Sequence, residues 1–185
     1  MSDVYERLRA HLDGLPAGFP ATKDGIELRL LKRLFSPEEA ALACHVTMRL
    51  ATADKIAAKA GLDPEATAVS LSEMSRKGLV FSIETPDRPP VYMASQYVVG
   101  IWEYHVNDLS EELVRDMNEY IPHLMKKSWV KHDTKQLRVV PVSKSVSADM
   151  KVMAYEQAEE IISSQSKIVV APCICRKEHE LIGEG

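Results

Sequence analysis

The stretch Asp63-Pro64-Glu65-Ala66-Thr67-Ala68-Val69-Ser70-Leu71-Ser72-Glu73-Met74-Ser75-Arg76-Lys77-Gly78-Leu79-Val80-Phe81-Ser82-Ile83 changes its periodicity once, and that change decides the fold. Asp63 offers a side-chain acceptor just before Pro64, a residue without an N–H, and the pair opens a helix. Thr67, Ala68, Leu71 and Met74 then recur at three- and four-residue spacing and form one inward stripe. Gly78 supplies the left-handed stop. Leu79-Val80-Phe81-Ser82-Ile83 favours an extended strand through its branched and aromatic residues. Pro86, Pro89 and Pro90 make a loop before Val91-Tyr92-Met93, so a β-hairpin is expected after the helix.

Upstream, Thr52 stands where it can cap a short helix carrying Ile56, Ala57 and Ala60, which stops at Gly61. The small residues Ala57 and Gly61 let the two helices approach closely. Ser36-Pro37-Glu38-Glu39 supplies an N-cap, a proline at the first helical position and a glutamate at the third, so a further helix runs from Pro37 to about Met48. Ile26, Leu30, Leu31 and Leu34 give Gly25 to Phe35 helical spacing as well. Caps, tight turn and hairpin in this order resemble a winged-helix domain over residues 25–95. Three helices and a hairpin are expected between about Gly25 and Met93, with Leu71 and Met74 buried and Glu65 and Glu73 exposed.

Residues 1–24 form an amino-terminal helical segment, and residues 96–136 a helical connector. The connector has an amphipathic stretch through Val99, Trp102, Tyr104 and Val106. A helix follows Asp108 or Ser110 with Leu113, Met117, Tyr120 and Ile121, and Pro122 disturbs or ends it. Its aromatics read as packing. Residues 137–185 alternate type: Leu137-Arg138-Val139-Val140-Pro141-Val142 as a strand, Met153 to Ser164 as a helix with Tyr155, Ala158, Ile161 and Ile162 inward, and Lys167-Ile168-Val169-Val170-Ala171 as a second strand. The fold class is therefore α+β, a winged helix followed by a helical linker and a small βαβ segment. The loop Ser143-Lys144-Ser145 lacks a glycine-rich turn, which disfavours Rossmann-type dinucleotide binding.

The 185 residues carry 23 Lys and Arg against 27 Asp and Glu, a net charge of −4, without the basic footprint of a nonspecific nucleic-acid binder. Apolar residues at 45% and charged residues at 27% support a real core. No window approaches the roughly 18 apolar residues a membrane span needs. Asp3, Glu6, Arg7 and Arg9 interrupt any secretory signal. Three cysteines make no disulfide framework, and a reducing cytoplasm is the expected compartment.

Chemistry concentrates in Ala171-Pro172-Cys173-Ile174-Cys175-Arg176. Two cysteines one residue apart lie on the same side of an extended segment, so both thiolates can approach one metal or cluster. If a helix follows, His179 shares a face with Cys175. Two thiolates and one imidazole still fall short of a closed tetrahedral site, and an unliganded reduced thiol pair is the plain alternative. Cys44 beside His45 reads as a buried structural cysteine. His11, His105, His123 and His132 show no ligand spacing, and Glu156, Glu159 and Glu160 read as a solvated face. No hydrolytic or phosphate-binding motif occurs.

Asp24-Gly25-Ile26-Glu27-Leu28, Phe35-Ser36-Pro37-Glu38-Glu39-Ala40, Met74-Ser75-Arg76-Lys77-Gly78-Leu79, Val99-Gly100-Ile101-Trp102-Glu103, the Leu137 to Val142 run and Cys173-Ile174-Cys175-Arg176 resemble, as an ordered series, a family of anaerobe iron-sulfur proteins. Members join a winged-helix amino-terminal region to a ferredoxin-like module holding two four-iron clusters. The resemblance covers nearly all of the chain. It implies an electron-transfer component rather than a catalyst in its own right, a redox partner protein, and an iron-sulfur cluster completed by cysteines beyond Gly185. Only Cys173 and Cys175 carry over as ligands, so this chain reads as the amino-terminal part of a longer protein. The winged helix would then serve docking or homodimerisation.

A second reading is a winged-helix regulator that binds DNA and senses metal or redox state through Cys173 and Cys175. Between Ala51 and Val106 five Lys and Arg face seven Asp and Glu, and Glu65 and Glu73 sit on the would-be recognition helix. Negative charge there opposes phosphate, so DNA binding is the weaker expectation. An enzyme acting through Lys144 and the Tyr155-Glu156 pair ranks lower, because no set of groups converges.

Overall fold

The computed structural model describes residues 3–130 and 155–184. The chain divides into two compact units, one made of residues 1–136 with 173–185 and the other of residues 137–172. The first unit holds α1 (Val4–Asp13), α2 (Ile26–Leu34), α3 (Pro37–Ala43), β1 (Ala51–Thr52), α4 (Ala53–Ala60), α5 (Pro64–Arg76), β2 (Val80–Thr85) and β3 (Arg88–Ala94). It continues with the single turn α6 (Trp102–Tyr104), α7 (Glu111–Leu124) and α9 (Ile174–Leu181), while α8 (Tyr155–Ser163) belongs to the second. Helix and antiparallel sheet together make the α+β class. The sheet order is β1-β3-β2, with Ala51 opposite Tyr92, Val80 opposite Ala94, and an irregularity between Ile83 and Thr85.

The helix boundaries follow local chemistry. Ser36 Oγ accepts from the Glu39 N–H at 3.2 Å while Glu39 Oε2 accepts from the Ser36 N–H at 2.8 Å, a complete capping box. Asp63 Oδ1 accepts from the Ala66 N–H at 2.8 Å and starts α5. Thr52 occupies the N-cap position of α4, but its side chain makes no capping bond. α4 ends on Gly61 at φ 69°, in the left-handed region. Leu71 and Met74 are buried and Glu65 and Glu73 exposed.

Four helices, α2 to α5, lie between Gly25 and Met93, where three are expected. α3 stops at Ala43 instead of reaching Met48: His45 N–H turns back to Leu42 O and Val46 N–H to Ala43 O, which carries buried Val46 into the core and releases the chain toward β1. Pro122 lies inside α7 and does not end it. Leu124, beyond the proline, is buried, and that burial offsets the lost backbone bond.

The expected divisions at residues 24/25 and 95/96 both fall inside the first unit. α1 packs on α2 and α3, and α7 packs on α2. Phe19 bridges them, its ring 4.5 Å from that of Tyr97 and 4.9 Å from that of Tyr120, and Tyr120 Oη donates to Pro20 O at 3.0 Å. Each such ring pair adds about 0.5–1.5 kcal/mol beyond area burial. Of the connector's amphipathic stretch, Trp102 and Val106 are buried, but Val99 and Tyr104 are exposed. Val99 also adopts φ 43°, a strained backbone for a β-branched residue, beside a Gly100 N–H that donates to Glu103 Oε2 at 2.7 Å.

The carboxy-terminal expectations need correction. α8 matches the predicted helix, yet Tyr155, Ile161 and Ile162 on it are exposed rather than inward. Residues 167–171 form no strand, and Ile168, Val169 and Val170 are exposed. Apolar branched residues favour extension, but a strand needs a partner to satisfy its backbone. The predicted strand Leu137 to Val142, with Lys144, lies outside the described residues, as does His132. No helix among the described residues is long and apolar enough to cross a membrane.

Candidate functional site: the thiol pair at the start of α9

Cys173 and Cys175 lie at the beginning of a helix, not at the end of a strand. Cys173 is the N-cap of α9, extended at φ −77° and ψ 120°, and its carbonyl accepts the first helical bond from Lys177 N–H at 3.0 Å. Cys175 is the second helical residue. The alternation of an extended segment that would put both sulfurs on one side therefore breaks off at Ile174. Both thiols are free and exposed.

The helix that carries them is anchored. Ile174, Leu181 and Ile182 pack against the core of the first unit, and Trp102 Nε1–H donates to Glu178 Oε1. Residues 174, 178, 181 and 182 are spaced as one helical face, so that face docks near α7 while the opposite one meets solvent. Cys175 and His179 share the adjoining flank, as expected for residues four apart. His179 is exposed, and its Nδ1 lies 3.6 Å from Glu184 Oε2. Arg176 is exposed beside them. The anchoring pair escaped the sequence reading because Trp102 and Glu178 are separated by 76 positions and no local spacing joins them.

Soft thiolates suit iron or an iron-sulfur cluster, but the donor count at α9 is partial. Among the described residues no three His, Cys, Asp or Glu side chains group so as to hold a metal ion. Two thiols by themselves leave a four-thiolate set incomplete.

The other titratable candidates divide between packed positions and the exposed surface. Cys44 Sγ donates to Ala40 O at 3.2 Å, and burial pushes its thiol up, which makes it a poor ligand. His45 is held below its ordinary value, first by burial and then by the positive charges of Lys59, His11 and Arg7. His11 Nε2 lies 2.8 Å from Val46 O, and buried His105 has Nδ1 2.7 Å from Ile101 O. His123, Glu159 and Glu160 are exposed.

On α5, the cations are few and partly engaged. Lys77 Nζ is 2.6 Å from Glu39 Oε1, and this hydrogen bond raises its affinity for its proton. A groove of about 460 Å³ between α5 and β3 is lined by Arg76 but also by Asp54 and Glu73. The chain matches no protein-family model, no curated protein and no solved structure.

Proposed function

We propose that the chain is the amino-terminal region of an iron-sulfur electron-transfer protein in which Cys173 and Cys175 supply two thiolates to a cluster completed by other cysteines. The observation that carries this reading is a solvent-exposed Cys-x-Cys pair on a helix fixed to the first unit through Ile174, Leu181 and the Trp102–Glu178 bond. A ligand pair must be accessible to incoming iron and still be held in place. Bound there, the cluster would accept one electron at a time; the chain's own part is to present the two sulfurs and hold α9. Anaerobic reconstitution of the complete gene product, followed by iron and sulfide analysis, tests it. Replacing Cys173 and Cys175 by serine is expected to lower iron content and change the visible spectrum. Unchanged iron and spectrum would remove the pair as ligands, and no iron uptake at all would remove the electron-transfer assignment.

We read β1, α4, α5 and the β2–β3 hairpin as a winged helix that serves docking or dimerisation. The order of helix, tight turn, helix and hairpin supports it. A DNA-binding use is disfavoured by exposed Glu65 and Glu73 on α5 and by the engagement of Lys77 with Glu39. In fluorescence anisotropy at physiological salt, a generic duplex should bind more weakly than micromolar. Submicromolar affinity that falls steeply with added salt would instead favour the regulator.

A further inference from the structure

A groove of about 550 Å³ runs between α3 and α5, and its wall carries Glu38, Glu39, Asp63 and Glu73 against one ammonium, that of Lys77. Glu39 is used within the fold, by Lys77 and by the Ser36 N–H. Glu38 Oε2 accepts from Ser36 Oγ at 3.0 Å, and Asp63 spends Oδ1 on the cap of α5. The Glu73 carboxylate accepts no hydrogen bond among the described residues, although its charge is felt by Lys77.

Thr67 lines the same groove, is 3% exposed, and its Oγ1 has no hydrogen-bond partner. A buried hydroxyl left unpaired is costly, and native folds keep few of them. No three of the carboxylates group tightly enough to hold a metal ion. Their spread along the groove suits an elongated cation instead. Leu62, 51% exposed, and Ala66 add an apolar wall against which the stem of an arginine or lysine can lie while its head stays among carboxylates.

We infer that the α3–α5 groove docks a basic segment of a partner protein, an arginine or lysine stem lying along Leu62 and Ala66 with its head among Glu38, Asp63 and Glu73 and a donor reaching Thr67. Charge complementarity selects this occupant, since the same carboxylates repel nucleic acid and acidic segments. The inference stands apart from the iron reading: it holds whether or not the α9 thiols take iron.

Hexa-arginine titrated into the isotope-labelled full chain, with hexaglutamate as control, is the direct test by two-dimensional NMR. Saturable shifts are expected at Leu62, Ala66, Thr67, Ser70 and Glu73. The double variant Glu38→Gln/Glu73→Gln should bind roughly ten-fold more weakly, since single exposed ion pairs reach about five-fold each. Glu6→Gln/Glu84→Gln removes the same charge elsewhere on exposed surface and should leave affinity unchanged. Thr67→Val should weaken binding about three-fold, the order of one neutral hydrogen bond, while raising the melting temperature, because the free fold loses only an unpaired hydroxyl. Circular dichroism checks that each variant stays folded. Shifts scattered over the surface, equal weakening by the two double variants, unchanged affinity in Thr67→Val, or duplex DNA shifting the same residues would each overturn the inference.

Discussion

Replacing Gly78 by alanine is expected to destabilise the fold by about 2–4 kcal/mol. Gly78 follows α5 at φ 78°, where an L side chain is strained, and a Cβ built there would stand 2.4 Å from Tyr104 Cβ and 3.3 Å from Tyr104 Cγ. The left-handed backbone accounts for about 1–2 kcal/mol and the overlap for the remainder. The position cannot relax cheaply. The Gly78 N–H closes on Ser75 O at 3.0 Å and the Leu79 N–H on Met74 O at 2.9 Å, a Schellman ending that fixes where β2 begins. Gly61 provides the comparison, because it is also left-handed, at φ 69°, but has open space where a Cβ would go. Gly61→Ala should therefore cost only about 1 kcal/mol. Urea denaturation of both variants measures the difference. Adding Tyr104→Gly to Gly78→Ala should recover the overlap portion and leave the backbone portion. Equal losses in the two alanine variants would show that Tyr104 yields freely.

Replacing Asp116 by alanine should cost about 2–3 kcal/mol and loosen α7 from α2. Its Oδ1 accepts from Arg29 Nε at 3.0 Å and its Oδ2 from Arg33 Nε at 2.8 Å, two arginines one turn apart on α2. The aspartate side chain is only 11% exposed, while the arginines are 44% and 38% exposed. Solvent screening of the guanidinium groups therefore keeps the figure below that of a fully buried pair. Glu112 reaches Arg33 only at 3.7 Å and is exposed, so Glu112→Ala should change stability by less than about 0.5 kcal/mol. Thermal unfolding gives the readout, about 2–4 °C per kcal/mol in a chain of this size. α9 packs near α7, so the indole fluorescence of Trp102, bonded to Glu178, should also change in Asp116→Ala. A loss no greater than that of Glu112→Ala would mean that apolar packing alone holds α7.

The parts of the candidate site that were legible in the sequence were those with short-range signatures. The Cys-x-Cys pair and its shared flank with His179 could be read directly, the latter because four residues make about one helical turn. Its setting could not. A branched apolar run such as Ile168-Val169-Val170 looks like a strand whether or not another strand is present to pair with it, and the run points to extension through Cys175, whereas Ile174 already begins a helix. The choice was made by Ile174, Leu181 and Ile182, which bury against the first unit only when they share a helical face.

The sequence by itself determined the starts of α3 and α5 and the stops at Gly61 and Gly78, because caps and left-handed glycines act through bonds spanning at most five residues. It also determined the inward stripe of α5 through Thr67, Leu71 and Met74. Only the tertiary structure decided that α7 runs through Pro122, that Arg29 and Arg33 grip Asp116 some 87 and 83 positions away, and that Glu178 meets Trp102. The physical reason is common to all three. Such contacts depend on the path of the chain between their partners, which no periodicity encodes, and their energy is gained only after the loop separating them has closed.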